Sequence, residues 1–282
     1  MAAVDEAVKK AAIAIAEANA LFITAGAGMG VDSGLPDFRG NRGFWKAYPP
    51  LAKLGISFSE MANPQWFERR PHLAWGFYGH RLNLYRHTRP HEGFYRLLAW
   101  GRQKPAGYFV FTSNVDGQFQ KAGFEEGQIE ECHGSIHHLQ CAQLCSDAIW
   151  PADDIEVMVN EDSFEAQEPL PHCPHCGGLA RPNILMFGDW NWLGWRSQQQ
   201  TRRLNDWMDK LRGRGHRLVV VEMGAGTAVP TVRYESERRA EQAGGILIRI
   251  NPRDTFVPLG HISVPLGALE GIRRIDSQLL II

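Results

Sequence analysis

The sequence has almost no net charge and lacks the long apolar runs of membrane proteins. Of its 282 residues, 30 are lysine or arginine and 31 are aspartate or glutamate, which leaves a net charge of -1. A protein that binds nucleic acid through its phosphates usually has more basic than acidic residues, so we expect no direct nucleic-acid partner. No apolar run reaches the roughly 18 residues of a membrane-spanning helix, so we expect no membrane partner either. The first 20 residues predict an amphipathic helix and no signal peptide, which indicates a cytoplasmic protein.

Cysteines are also few, and their spacing is more informative than their number. There are five, an odd count that argues against a framework of disulfides in a cytosolic chain. Four of them form two close pairs, which suits a tetrahedral structural zinc with four thiolate ligands: Cys141, Cys145, Cys173 and Cys176. His172 and His175 are alternative ligands. The fifth, Cys132, follows a strand and is expected to be a small buried filler.

Short apolar runs that stop at a glycine or a polar residue recur along the chain. They cover residues 21–25, 108–112, 218–221, 246–248 and 262–264. Helical patterns separate several of them, at about 4–19, 91–102, 198–211 and 230–243. Continuous apolar strands alternating with helices predict an α/β fold with a doubly wound, parallel, Rossmann-like sheet. In such a sheet the ligand binds beyond the carboxyl ends of the strands, where these glycines and polar residues lie.

Two regions interrupt this pattern. Residues 41–90 are rich in aromatic residues and proline and look helical or irregular, and residues 139–181 hold the paired cysteines and an acidic stretch. We interpret both as insertions that form a smaller lobe, a zinc ribbon with helices, beside the sheet. The predicted Rossmann-like core then consists of residues 1–40, 91–138 and 182–282.

Candidate site residues follow the first two of these runs and a further short apolar stretch at Ile129. Gly26, Gly28 and Gly30 would let backbone N–H groups approach a phosphate, although a tight turn without a ligand explains them as well. Asn114 and Asp116 could be polar site residues or turn formers. His133 is well placed for general base work, but as a lone histidine it could equally be a satisfied loop residue.

Together these motifs resemble those of the sirtuin (Sir2) family of NAD-dependent protein deacylases, in the family's order and over nearly the whole chain. The matching segments are Gly26-Ala27-Gly28 with the loop to Arg39, Thr112 to Asp116, His133-Gly134-Ser135, the four paired cysteines, Arg181 to Asp189, and Ile250-Asn251. The resemblance implies NAD as co-substrate, structural zinc, and acylated lysine in proteins as the other substrate. It also implies one catalytic unit over residues 1–282.

The resemblance also implies a reaction and a role for each site residue. The acyl group would be transferred to ADP-ribose, releasing nicotinamide and O-acyl-ADP-ribose. His133 would be the general base, while Asn114 and Asp116 would hold the nicotinamide amide. The residues implied to bind NAD are Gly26, Ala27, Gly28, Asp37, Phe38, Arg39, Ser113, Asn114, Asp116, Gly224, Gly226 and Asn251. Phe187 and Gly188 belong to the strand implied to pair with a substrate peptide.

Several positions depart from the family pattern. Gly30 replaces a serine, Ser113 replaces a glutamine, and Gly224-Ala225-Gly226 replaces Gly-Thr-Ser. Each change removes a hydrogen-bonding group, worth roughly 0.5–1.5 kcal/mol net. The segment from Trp190 to Trp195 has three tryptophans where the family has leucine and proline. It could be a substrate platform, an oligomer contact or simple packing.

The choice of acyl group stays open on the sequence. Tyr78 and Arg81 resemble the Tyr-x-x-Arg motif of the family branch that removes succinyl and malonyl groups. Residues at i and i+3 share one helix face, and a guanidinium beside a phenol can bind a carboxylate. Val31, however, could shorten the acyl pocket and favour an acetyl group.

Two other functions stay possible on the same scaffold. One is an NAD glycohydrolase or mono-ADP-ribosyltransferase, which the altered NAD loop motivates. The other is a catalytically weak NAD-sensing or scaffold protein. Whether NAD consumption requires an acylated peptide distinguishes the first alternative from a deacylase. The sequence identifies neither the protein substrates nor the oligomeric state.

Overall fold

The structure is a computed structural model that describes residues 2–36 and 40–282. Three residues of the predicted NAD loop, Asp37, Phe38 and Arg39, lie outside the described residues. The helices are α1 Ala2–Glu17, α2 Gly40–Ala47, α3 Pro49–Lys53, α4 Phe58–Met61, α5 Trp66–Arg69, α6 Pro71–His87, α7 Glu92–Arg102, α8 Gln118–Lys121, α9 Trp195–Gly213, α10 Thr231–Gln242 and α11 Ala268–Leu279. The strands are β1 Ala20–Ala25, β2 Tyr108–Thr112, β3 Ile129–Glu131, β4 Gly134–Cys141, β5 Ile149–Pro151, β6 Ala180–Ile184, β7 Leu218–Met223, β8 Ile246–Ile250 and β9 Ile262–Val264.

The larger sheet has six parallel strands in the order β3-β2-β1-β7-β8-β9. Numbered within this sheet alone, the order is 3-2-1-4-5-6, which is the order of a doubly wound nucleotide-binding fold. The direction of winding reverses between β1 and β7. The loops that follow these two strands therefore leave toward opposite faces and open a crevice at the carboxyl edge. The predicted fold class is confirmed.

Both faces of this sheet are covered, which explains why its strands are apolar without alternation. Along β1, Leu21 and Ile23 pack in one core cluster with residues of α1, α7 and α11. Phe22, between them, packs in a second cluster with residues of α9 and α10. Side chains alternate between the two faces of a strand, so each face of β1 must be apolar.

The smaller lobe contains an antiparallel sheet in the order β5-β4-β6. Its core combines aromatic residues of α6, including Trp75 and Phe77, with Val157 and Phe164 from the segment after β5. The two interrupting regions of the sequence thus share one apolar core. Within residues 2–36 and 40–282, no helix combines the length and the apolar character needed to cross a membrane.

Candidate active site

The glycine loop after β1 contacts the loop after β7 at the point where the winding reverses. The Gly26 N–H donates to the Met223 carbonyl at 3.0 Å, and the Gly28 N–H donates to the Gly224 carbonyl at 3.0 Å. Gly224 has φ +62°, and a Cβ there would lie 2.3 Å from the Met29 nitrogen. Only glycine permits this approach. Because the Gly28 N–H is already used, Ala27 supplies the loop's open N–H donor among the described residues.

A cavity of about 100 Å³ lies beside these two loops. It is lined by Gly28, Val31, Asp32, Gly224, Ile250, Pro252, Arg253, Gly267 and Ala268. Its wall is held in place by Asp32, whose carboxylate accepts the N–H of Leu269 in the first turn of α11 at 3.0 Å. Ligand pockets usually measure about 300–1,000 Å³, so this cavity fits one end of a dinucleotide and not the whole molecule. The glycine loop and this cavity together offer room for an NAD phosphate and its neighbouring ribose.

Ser113 and Asn114 join the end of β2 to the glycine loop. The Ser113 N–H donates to the Ala25 carbonyl at 3.2 Å. The Asn114 side-chain amide donates to the Gly26 carbonyl at 3.0 Å. These predicted site residues, far apart in the sequence, are therefore in direct contact.

Asp116 is buried two residues further on. Its carboxylate accepts the Gln118 N–H at 3.0 Å, and its backbone carbonyl is bonded to a His137 ring nitrogen at 3.0 Å. Burial raises the pKa of Asp116 to about 6, although the Gln118 N–H and the nearby Arg81 guanidinium oppose that rise. Asp116 thus carries its charge at neutral pH and loses it in mild acid.

His133 lies just past β3, in contact with the same loop. Burial lowers the pKa of the imidazole below its usual value, and the nearby Ser113 carbonyl opposes that fall. The ring is therefore mostly neutral at pH 7, which is the state a general base needs.

Gly226 and Asn251 lie at the other end of the predicted NAD site. The Asn251 side chain is fully buried: its amide donates to the Ala225 carbonyl at 2.7 Å, and its oxygen accepts the N–H groups of Arg253 and Asp254 at 3.0 and 3.1 Å. Asn251 thus ties the loops after β7 and β8 together. Its predicted contact with a ribose stays a prediction. Gly226 is open, with a side-chain oxygen of Asp254 at 3.9 Å from where its Cβ would lie.

Tyr78 and Arg81 lie in the core of the smaller lobe, on α6. The Arg81 guanidinium is bonded to the Tyr85 hydroxyl, with Nη2 at 2.8 Å, and lies 5.8 Å from the centre of the Tyr78 ring. Within the described residues the buried Tyr78 hydroxyl has no hydrogen-bond partner. Sequence reasoning missed Tyr85, although its position one turn after Arg81 could have indicated it.

Phe187 and Gly188 follow β6 and lie against the helices of the smaller lobe. The Phe187 N–H donates to the Ala62 carbonyl at 2.9 Å, and its ring contacts Phe58 edge-on at 6.1 Å between centroids. Gly188 has φ +66° and forms a turn. Pairing of this segment with a substrate peptide stays a prediction.

The four paired cysteines converge in the smaller lobe. All four sulfurs lie within 4.8 Å of one another, with Cys141 and Cys176 3.7 Å apart and Cys145 and Cys173 3.5 Å apart. A tetrahedron of Zn–S bonds of about 2.3 Å has sulfurs about 3.8 Å apart. The donor set therefore fits zinc with four thiolates. Such a site has no open position, so its role is structural.

The fold and these sites define an α/β dinucleotide-binding protein whose second lobe is organised by a four-cysteine zinc site. A family model described as Sir2 family matches residues 26–205. The chain belongs to the Sir2 family.

Curated relatives and solved structures agree with this assignment. A Thermus thermophilus protein named NAD-dependent protein deacylase is 29% identical over 273 residues, covering 95% of this chain and 93% of the relative. A Pyrobaculum aerophilum protein named NAD-dependent protein deacylase 2 is 30% identical over 258 residues, covering 90% and 88%. Two solved complexes of a mutant Sir2 homologue with ADP-ribose are similar to this structure. One has a TM-score of 0.69 at 25% identity and the other 0.66 at 26%, and each comparison covers 96% of both chains.

Proposed function

We infer that this protein is an NAD-dependent protein lysine deacylase. The observation that carries this inference is the contact of three predicted site segments at the crevice: the Cys132 N–H, next to His133, bonds to Thr112, Ser113 to Ala25, and Asn114 to Gly26. Membership of the Sir2 family and the names of the relatives support the same activity. The protein would act as one catalytic unit over residues 1–282.

The chemistry that NAD supplies when bound is an ADP-ribose acceptor for the acyl group and nicotinamide as leaving group. The chain's own residues hold and orient the reactants and move a proton. His133, neutral at pH 7 because burial lowers its pKa, would accept a proton from a ribose hydroxyl. Asn114 and the ionised Asp116 would bind the carboxamide of nicotinamide. The acyl group ends on ADP-ribose, so the enzyme is a transferase, and its thiolate zinc site fits a reducing cytoplasm.

A comparison of matched peptides tests this function directly. The purified protein is incubated with NAD and one peptide in acetyl-lysine, succinyl-lysine and unmodified forms, and nicotinamide and acyl-ADP-ribose are measured by mass spectrometry. We expect nicotinamide release to require an acyl group. Equal release with the unmodified peptide would contradict the deacylase and establish a glycohydrolase; ADP-ribose found on the peptide would establish a transferase of ADP-ribose.

Binding of NAD depends on the close contact of the two loops. We expect Gly224→Ala to weaken NAD binding at least tenfold, because the new Cβ would meet the Met29 nitrogen and the left-handed backbone alone costs about 1–2 kcal/mol. Calorimetric titration with NAD measures the effect. Gly244→Ala is the control: it has a similar φ of +57° with nothing within 4 Å of its Cβ position. Equal NAD affinity in the two variants would contradict a role for the contact between the glycine loop and Gly224 in NAD binding.

We propose further that the acyl site accepts anionic groups such as succinyl. Arg81 is buried among aromatic rings, with its guanidinium 5.2 Å from the Phe77 ring centre and 5.3 Å from that of Tyr85. Beside it, the Tyr78 hydroxyl is buried without a partner in the described chain. A guanidinium and an unsatisfied phenol in one apolar site suit a carboxylate that accepts from both.

Replacing Arg81 by methionine separates the two acyl classes. We expect Arg81→Met to lower kcat/KM for succinyl-lysine about tenfold to a hundredfold, the effect of losing a charge-assisted hydrogen bond, with acetyl-lysine changed less than threefold. Arg69→Met, on an exposed helix position, is the control. Equal losses on both substrates would show that Arg81 supports the lobe and does not select the acyl group.

A further inference from the structure

The chain between β6 and α9 begins beside the proposed catalytic base. The Leu185 N–H donates to the His133 carbonyl at 2.9 Å. We call residues 185–190, Leu-Met-Phe-Gly-Asp-Trp, the outer segment. A lysine that presents its acyl group at His133 would therefore have neighbouring residues close to this segment.

The outer segment turns apolar side chains outward. Leu185 is 37% exposed and Phe187 44% exposed, whereas Met186 between them is 5% exposed and packs in the core of the smaller lobe. Trp190 is 96% exposed. Tryptophan has the largest side chain and is usually mostly buried, so an almost fully exposed indole is unusual. Exposed aromatic surface of this kind is typical of an interaction site.

The backbone around Trp190 is held firmly. On one side, the side chain of Asp189 is fully buried in an ion pair with Arg181. On the other side, the Asn191 carbonyl accepts from the Gln140 side chain at 2.8 Å, and the Leu193 N–H donates to the same side chain at 3.0 Å. The exposure of Trp190 is thus imposed by its anchored neighbours.

The other two tryptophans of this region have structural roles. The Trp192 ring lies over Gly194, where a Cβ would be 2.9 Å from it. The Trp195 indole N–H donates to the Asp147 carbonyl at 2.9 Å, joining α9 to the lobe that holds the cysteines. Trp192 and Trp195 therefore have the packing role that is one of the explanations offered for this segment, whereas Trp190 does not.

The outer segment also presents no free charge. Its one ionisable side chain, Asp189, is neutralised by Arg181 and withdrawn from solvent. A basic residue of a substrate would find no carboxylate in this segment, whereas an apolar or aromatic side chain would find three apolar ones.

We propose that Trp190, with Leu185 and Phe187, is a specificity site for an apolar or aromatic residue close to the acylated lysine in the substrate protein. This inference rests on the proposed deacylase function and narrows its substrate class. Trp190 would contact a flanking residue of the substrate and none of the reacting atoms. It would therefore stabilise the bound substrate and the transition state equally, which changes KM and leaves kcat unchanged.

Matched acyl-lysine peptides test this site. Each peptide carries tryptophan, leucine, alanine or lysine at one position from three residues before to three residues after the acyl-lysine. At one such position, we expect the wild type to prefer tryptophan or leucine over alanine by about tenfold in kcat/KM, through KM. Trp190→Ala should reduce this preference below twofold with kcat unchanged, and Trp190→Phe should keep most of it. Tyr234→Ala, an exposed aromatic position on α10, is the control.

Each contrary outcome has a definite meaning. A wild type that deacylates every peptide equally, or a Trp190→Ala variant that loses activity equally on all of them, would overturn this inference and leave the deacylase function intact. A variant that becomes monomeric in sedimentation velocity while the wild type is oligomeric, with unchanged peptide preference, would assign Trp190 to an oligomer contact instead. A wild type that deacylates none of the peptides would overturn the proposed function together with this inference.

Discussion

Replacing His133 by alanine is expected to lower acyl-dependent nicotinamide release or product formation by about 10²–10⁴-fold, the usual contribution of a positioned general base. The imidazole follows β3 at the crevice and is mostly neutral at pH 7, because burial lowers its pKa. Steady-state assays with an acylated peptide, together with NAD titration, measure the effect. Binding of NAD should change little, because the loss concerns proton transfer.

The neighbouring histidines provide a matched control for this experiment. His138, on β4, is half-buried, and its buried Nδ1 has no hydrogen-bond partner among the described residues, so His138→Ala should retain activity. The pH profile adds a second readout. Activity of the wild type should fall as the pH drops through about 6, where Asp116 takes up a proton and the fraction of protonated His133 grows. A His133→Ala variant within threefold of the wild type would contradict the assigned role.

Replacing Cys141 by serine is expected to release zinc and unfold the smaller lobe. Structural zinc contributes about 10–16 kcal/mol in zinc-finger peptides, as much as the whole stability of an ordinary domain. Cys141 is fully buried at the end of β4, so a serine there would leave an incomplete and desolvated ligand set. We expect a metal content well below one zinc per chain and a thermal midpoint lower by at least about 10 °C.

Cys132→Ser provides the control for the zinc experiment. Cys132 packs against the core cluster that the larger sheet shares with α9 and α10, and it is not one of the four clustered cysteines. It should keep one zinc per chain, as measured by elemental analysis. Full zinc occupancy in Cys141→Ser would show that the four thiolates are not the ligand set.

The parts of the fold that depend on local patterns could be predicted from the sequence. The apolar run of β1 predicted a strand covered on both faces, and the structure places Leu21 and Phe22 in different cores. The cysteine spacing predicted a cluster that the structure brings together. In both cases the information lies within a few residues of chain, through periodicity or ligand chemistry.

Contacts between distant segments could not be predicted in this way. The burial of Asn251 depends on the Ala225 carbonyl, 26 residues away, and nothing in the sequence around Asn251 indicates that bond. The strands β4 and β5 mix polar and apolar residues, so no regular pattern indicated their antiparallel pairing. The difference in exposure between Trp190 and Trp192 also depends on neighbours that only the folded chain provides.

The shared core of the smaller lobe limits how its parts can be exchanged between relatives. The Trp75 indole N–H of α6 donates to the Ala180 carbonyl of β6 at 2.9 Å, and a Cβ at Gly76 would lie 2.1 Å from the Phe164 carbonyl oxygen. A Cβ at Gly79, on the same helix, would meet Val157 at 2.3 Å. A chimera that imports the cysteine-bearing region from another family member must therefore import α6 with it. Because α6 also carries Arg81, such a graft would change the proposed acyl site at the same time. We therefore expect α6 and the cysteine-bearing region to be inherited together.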